Sequence, residues 1–312
     1  MWRLSPTGKM TKVSVIIPLY NSARFLPTLF ENIAQQTIAA DCEFVFIDDH
    51  GGDDSLALAR SLAATSGLRC LFGATVANGG PGAARNAGLK MAGGEYVAFL
   101  DSDDALDATF CEKLYSAAAA CDADIAYCHI LAVKGSGSTV WRNPAVDSGD
   151  FSGEKRLYFL KRYKSYFTSF IYRRSMLVRE GIVFPPTRSA EDSCFLTCAL
   201  LCASRIAFVD EALYFYLLRS DSLSFGRLDD RYMQRMASFD ALLEFARRKG
   251  FYDADREILD YLYIKKATAG ALRNNRRARA EIIAHTDAAI PGWKRNALYR
   301  RDLRLRAALL LL

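Results

Sequence analysis

No apolar run in this chain reaches the roughly 18 to 20 residues that a membrane-spanning helix needs, so no spanning anchor is expected. Met1 to Lys12 hold no apolar core of the signal-peptide kind. Met10 stands just before the first apolar run, and a start there would make residues 1–9 a dispensable extension. The eight cysteines show no paired spacing and, without a secretion signal, read as reduced thiols of a cytoplasmic protein. Cys194, Cys198 and Cys202 fall at i, i+4 and i+8 of an expected helix, but their neighbours are apolar. With no CxxC pair or nearby histidine to complete a tetrahedral set, they read as small core hydrophobes. Only three histidines occur, and neither His129 nor His285 has ligand spacing. There is no internal repeat, and the absence of a G-x-x-x-x-G-K-[ST] loop removes an ATPase of that type.

What is present is ordinary for a globular protein: 51% hydrophobic and 24% charged residues, enough to bury a sizeable core. In the first half, apolar runs alternate with helical spacings. Val13–Ile17, Phe44–Ile47, Cys70–Phe72, Tyr96–Leu100 and Ile125–Cys128 read as strands, with helices at Leu26–Ile33, Leu56–Ala64, Pro81–Met91 and Phe110–Ala120 between them. Near-continuous apolar strands separated by helices predict a mostly parallel sheet covered on both faces, with ligands gathering at the strands' carboxyl ends. Residues 134–150 read as a loop or hairpin. The pattern resumes with a strand at Phe167–Tyr172, helices at Arg174–Glu180 and Glu191–Ala203, and two runs, Ile206–Val209 and Leu213–Leu218. Beyond Arg227 the chain is predominantly helical.

Polar residues follow three of the early strands: Tyr20-Asn21, Asp48-Asp49 and Asp101-Ser102-Asp103-Asp104. Three neighbouring aspartates repel one another and raise each other's pKa unless a positive charge sits among them. A Mg²⁺ or Mn²⁺ ion resolves that conflict, and a solvated turn capping the next helix explains it equally well. A carboxylate at Asp48-Asp49 can accept from a base or ribose, or merely cap a turn. Asn78-Gly79-Gly80-Pro81-Gly82-Ala83-Ala84-Arg85-Asn86 gives close backbone approach and an arginine early on a helix, suited to a phosphate or a base carbonyl.

Together these segments resemble family 2 glycosyltransferases with the A-type nucleotide-sugar fold. The matching stretches are Val13–Asn21, Phe46–Asp49 with Asp53 and Ser55, Asn78–Gly88, and Gly94–Asp104, in order and at the expected spacing. The resemblance implies a three-layer α/β fold, with residues 10–225 as the catalytic domain and 226–312 as a basic helical C-terminal region. Within the catalytic domain, 10–130 would bind the nucleotide sugar and 131–225 face the acceptor. It further implies that Pro18, Tyr20 and Asn21 border the nucleotide, that Asp49 recognises the base, and that Arg85 contacts the nucleotide. Asp101 and Asp103 match the D-x-D pair, with Asp103 the more direct ligand of Mn²⁺ or Mg²⁺ and Ser102 beside them. The sequence departs at His50-Gly51-Gly52, where relatives more often carry Gly-Ser-Thr. Glu191-Asp192 resembles the acidic pair of the bacterial polysaccharide and lipopolysaccharide branch. Asp192 would be the base that takes the acceptor's proton in an inverting displacement, and Glu191 its neighbour. An acidic pair complementing a helix N-terminus is the plainer reading. Arg219 and Ser222 match a stretch that meets the diphosphate from the far side of the cleft. A UDP-sugar is the donor the resemblance favours, and a growing cell-surface glycan or glycolipid the acceptor.

Charge is uneven. From Tyr261 onward twelve lysines and arginines face three acids, giving that stretch +9 where the whole chain is +6. Asn296–Leu312 mixes leucines with Arg300, Arg301, Arg304 and Arg306, the pattern of a basic amphipathic helix. Such a helix either lies on the anionic inner face of the cytoplasmic membrane or docks on the domain. A transferase acting on polyprenyl phosphate, or a non-catalytic membrane- or glycan-binding protein, is the competing function. A nucleic-acid partner is not expected, since it would leave the carboxylate clusters unexplained.

Overall fold

The computed structural model describes residues 10–219 and 231–311. In β1 (Val13–Leu19), Val13, Val15, Ile17 and Leu19 enter one hydrophobic core and Ile16 enters another. In β2 (Cys42–Asp48), Phe44 and Phe46 take the first side, Val45 and Ile47 the second. Both faces of these strands are therefore covered, which is why they read as unbroken apolar runs.

The remaining strands are β3 (Cys70–Ala74), β4 (Tyr96–Phe99), β5 (Ala105–Leu106), β6 (Ile125–Lys134), β7 (Gly137–Trp141), β8 (Gly149–Asp150), β9 (Phe170–Arg173) and β10 (Arg205–Leu217). They form one sheet ordered β3-β2-β1-β4-β9-β6-β10-β5, with β7 pairing β6 and β8 pairing β10. β3, β2, β1 and β4 are mutually parallel, β9 is inserted antiparallel, and β6 and β10 are parallel to each other. This is the mostly parallel α/β sheet that the pattern predicts.

Two local expectations change. The strand expected over Phe167–Tyr172 begins only at Phe170, because Phe167–Ser169 form a 3₁₀ turn that sends Phe167 into the core against Phe99 and Phe184. The runs Ile206–Val209 and Leu213–Leu218 are one strand, β10, whose register shifts against β6 between Phe208 and Tyr214 and so absorbs Asp210 and Glu211.

The helical C-terminal region has no core of its own. Met236, Phe239, Leu242, Leu259, Ile264, Leu272, Leu305 and Leu309 join the hydrophobic cluster on one face of the sheet. The single amphipathic helix expected over 296–312 is two helices, Ala297–Arg301 and Leu303–Leu311. Asp302 separates them, its carboxylate accepting from the Leu305 amide at 2.9 Å and the Tyr261 hydroxyl at 2.7 Å. No helix among the described residues is long and apolar enough to cross a membrane.

Candidate functional site

Because β1, β2 and β4 are parallel and in register, their carboxyl ends deliver Tyr20-Asn21, Asp49 and Asp101 to one edge of the sheet. Pro18 is partly buried at the end of β1, and Tyr20 is exposed. Asn21 adopts a left-handed φ of 52°, which asparagine tolerates, and its Oδ1 accepts the Gly52 amide at 2.6 Å. The divergent His50-Gly51-Gly52 turn is thereby satisfied, and the His50 ring nitrogen Nε2 meets the Thr75 carbonyl at 2.7 Å. The Ser22 and Ser102 hydroxyls lie 2.8 Å apart and tie the end of β1 to the D-x-D turn.

Asp49 is buried and organises the glycine loop. It accepts from the Thr75 hydroxyl at 2.9 Å and from the Gly79 and Gly80 amides at 3.0 and 2.8 Å. Asp104 also has an internal task. It accepts from the Tyr214 hydroxyl at 2.7 Å and the Leu217 amide at 2.9 Å, fastening β10 to the turn. Burial, then the charge of Asp101, pushes the Asp104 carboxyl well above the usual range despite those bonds. Of the aspartates in this turn, Asp104 is buried, while Asp101 and Asp103 stay partly exposed.

Arg219 crosses to the same turn from β10. Its Nη2 donates to the Asp103 carbonyl at 2.9 Å, its guanidinium lies 4.1 Å from the Phe25 ring centre, and its Nη1 is buried without a hydrogen-bond partner among the described residues. A spare, desolvated donor beside the aspartate pair suits an anionic group. Ser222 lies outside the described residues.

Arg85 joins the two halves. It is 5% exposed, on the helix Pro81–Met91, and its Nη2 donates to Asp101 Oδ1 at 2.6 Å while Nη1 lies 3.7 Å from Glu191 Oε1. Phe167 and Phe184 flank the guanidinium at 4.6 and 5.5 Å. Burial opposes its charge, yet Asp101 and Glu191 outweigh that and hold it above its ordinary value. Arg85, expected as a nucleotide contact, lies between the two acidic segments. The closeness comes from packing: a Cβ at Gly82 would stand 3.1 Å from Phe184 Cβ and 3.3 Å from Glu191 Cγ. Asn86 adds a clip, its side chain exchanging hydrogen bonds with the Phe184 amide and carbonyl at 2.9 and 2.8 Å.

Glu191 and Asp192 open the helix Glu191–Cys202. Burial, then the charge of Asp192, pushes the Glu191 carboxyl up to about 7, with Arg85 opposing. Burial likewise raises Asp192, against the Ser193 amide and the charges of Arg85, Arg235 and Lys266. Pairs of acids whose surroundings shift them toward neutrality are found where proton transfer is carried out. Cys194 and Cys198 on the same helix are buried in the core as expected.

Comparison with known proteins now bears on this geometry. Residues 14–180, more than half of the chain, match glycosyl transferase family 2. The poly(ribitol-phosphate) β-glucosyltransferase of Bacillus spizizenii is 30% identical over 67% of this chain and 33% of its own. The chain belongs to glycosyl transferase family 2. It spans about a third of the length of that Bacillus relative. Among solved structures, Staphylococcus aureus TarS in complex with UDP-GlcNAc superposes with a TM-score of 0.63 at 23% identity, covering 89% of each chain. The mannosyltransferase PcManGT of Pyrobaculum calidifontis, in complex with GDP-Man and Mn²⁺, superposes with a TM-score of 0.55 at 19% identity, over 100% of this chain and 87% of that one. Both neighbours share the A-type fold.

The family match ends before Glu191. Sequence reasoning missed two members of the acidic pair's surroundings: Lys266 entered only as part of the tail's charge, and Arg235 was not singled out. Nothing in their spacing signals that they return to residue 192. Phe167 and Phe184, which flank Arg85, were likewise legible only as apolar residues.

Proposed function

We propose that this family 2 protein transfers a sugar from a UDP-sugar to a hydroxyl of a cell-surface glycan or glycolipid, inverting the anomeric carbon. The observation that carries the reading is the Asp101–Arg85–Glu191 link: one buried arginine contacts both the D-x-D turn and the acidic pair. Uridine is supported by the UDP-GlcNAc complex of TarS, and a surface-glycan acceptor by the poly(ribitol-phosphate) activity of the Bacillus relative.

A divalent ion fits the residues present. Among the described residues no three His, Cys, Asp or Glu side chains form a cage. Mg²⁺ and Mn²⁺ at phosphates need only one or two carboxylates, with waters and phosphate oxygens completing the set. Asp101 and Asp103 are partly exposed at the strand end and would supply them, in keeping with the Mn²⁺ in the PcManGT complex. When bound, that ion neutralises the charge developing on the diphosphate.

The chain's own residues do the rest. Asp192 takes the proton of the acceptor hydroxyl as its oxygen bonds to the anomeric carbon and the bond from that carbon to the diphosphate breaks. Arg219 Nη1 meets the departing diphosphate, Tyr20 and Asn21 border the nucleotide, and Asp49 holds the glycine loop against it. Residues 10–225 act as the catalytic domain, and the described helical residues 231–311 pack on one face of its sheet. The test is a panel of UDP-, GDP- and dTDP-sugars assayed for binding and slow hydrolysis, with Mn²⁺ and with chelator. Uridine-selective binding and chelator-sensitive hydrolysis are expected. Failure to bind any nucleotide sugar overturns the reading.

A further inference from the structure

Asp192 is walled on one side by the helical region. Arg235, on the helix Arg231–Arg248, and Lys266, on the π-helical turn Tyr263–Thr268, both lie within electrostatic reach of its carboxylate. Irregular turns of that kind recur at functional sites because they re-aim a side chain. Lys266 Nζ lies 3.7 Å from the Tyr163 ring centre and donates to Ser165 Oγ at 3.0 Å. Ser165 in turn accepts from the hydroxyl of Ser193, the residue after Asp192.

Arg235 is held just as firmly. Its Nη1 donates to the Lys266 carbonyl at 3.2 Å, and the side chain lies across Gly270, where a Cβ would stand 3.0 Å from its Cδ and Nη1. Arg231 and Arg273 add like charge around it. Arg231 and Arg273 thus crowd Arg235, and burial pulls the neighbouring Lys266 ammonium down to about 7, while Glu191 beside Asp192 already faces Arg85. Half-buried like charges repel, and a cluster of them is stable chiefly when an anion is brought to it.

We propose that Arg235 and Lys266 form an acceptor-side anion subsite, so that the preferred acceptor carries a phosphate or carboxylate group close to its attacking hydroxyl. The inference rests on the glycosyltransferase reading with Asp192 as base. A guanidinium fork and an ammonium set at fixed spacing would orient that hydroxyl toward Asp192 by holding the group beside it.

The full chain, supplied with the donor found in the nucleotide-sugar panel, is assayed with three acceptors of equal length. One ends in a neutral hexose, one in a uronic acid and one in a polyol phosphate. At least one anionic acceptor should exceed the neutral one in kcat/KM by about tenfold or more, the worth of a charge-assisted hydrogen bond. Arg235→Gln and Lys266→Met should each collapse that ratio, with donor affinity by calorimetry and thermal midpoint retained, and Arg235→Lys should restore part of it. Preference for only the phosphate or only the uronic acid names the source. Equal use of all three acceptors by the wild type overturns the subsite. So does an equal loss on all acceptors in the variants with a displaced pH profile, since that is mere tuning of Asp192. A chain that binds no donor fails earlier, in calorimetry before any acceptor is added, and overturns the parent reading instead.

Discussion

As the proposed base, Asp192 faces two opposed demands: it must be ionised, yet its burial disfavours charge. The outcome is a carboxyl raised by burial and held back by the Ser193 amide, Arg85, Arg235 and Lys266, beside a Glu191 pushed up to about 7. Removing the carboxylate should cost the about 10²- to 10⁴-fold typical of a general base. Asp192→Asn is therefore expected to lose transfer on that scale while binding UDP-sugar normally in calorimetry; near-normal turnover would sink the assignment. The pH dependence follows with a definite sign. Because both acids are raised, protonation inactivates the enzyme at a higher pH than an ordinary aspartate near about 4 would allow. Activity should rise with pH through the mildly acidic range. In Asp192→Asn the charge that adds to burial is lost, so the acidic limb of the Glu191 titration, followed by carboxyl NMR, should move down from about 7. An upward or unmoved limb in that variant would contradict the arrangement.

The helix Pro81–Met91 decides whether the acidic pair reaches the D-x-D turn at all. Gly82 leaves so little room that Phe184 and Glu191 pack directly on its backbone, and a branched side chain there has nowhere to go. Gly82→Leu should cost about 1–3 kcal/mol, as overpacking does. It should also lower kcat by separating Arg85 from Glu191, measured by thermal unfolding and turnover together; a stable variant with full turnover would refute the coupling. Elements of this kind mark the boundary of what the sequence reveals. The buried strands were legible because both faces are covered, leaving runs such as Phe44–Ile47 uninterrupted. The clustering of Asp49 and Asp101 was legible because parallel strands share one carboxyl edge. The division of labour was not. Asp104 reads like Asp101 and Asp103 until Tyr214 and Leu217 are seen to claim it, and nothing near Arg85 in sequence announces Glu191, which reaches it from 106 residues away. Long-range pairing carries no local signature. The same holds for β10, whose interrupting Asp210-Glu211 looks like a break and is a register shift.

At the scale of the molecule, the helical region packs into the hydrophobic core on one side and presents a charged surface on the other. Leu305 and Leu309 turn inward, and the Arg279 guanidinium donates to the Leu309 carbonyl at 2.9 Å, so the last helix is docked. Its outer face is unusual: Leu303, Leu310 and Leu311 are 71, 81 and 80% exposed, among the exposed Arg300, Arg301, Arg304 and Arg306. Docking and membrane contact, competing readings of the sequence, are thus compatible in the structure, because different leucines serve each. Cations near an anionic leaflet contribute about 1 kcal/mol apiece, and inserted leucines add to that. Exchanging Leu310 and Leu311 for glutamine removes the apolar part without touching the buried pair. The double variant should keep the wild-type thermal midpoint and sediment with phosphatidylglycerol vesicles about tenfold less well, the equivalent of 1.4 kcal/mol. High salt should release the wild type, since screening at about 1 M shortens electrostatic reach to roughly 3 Å. Vesicle binding that ignores both the substitution and the salt would mean that this face does not meet the membrane, and would return the tail's +9 charge to the acceptor side of the cleft.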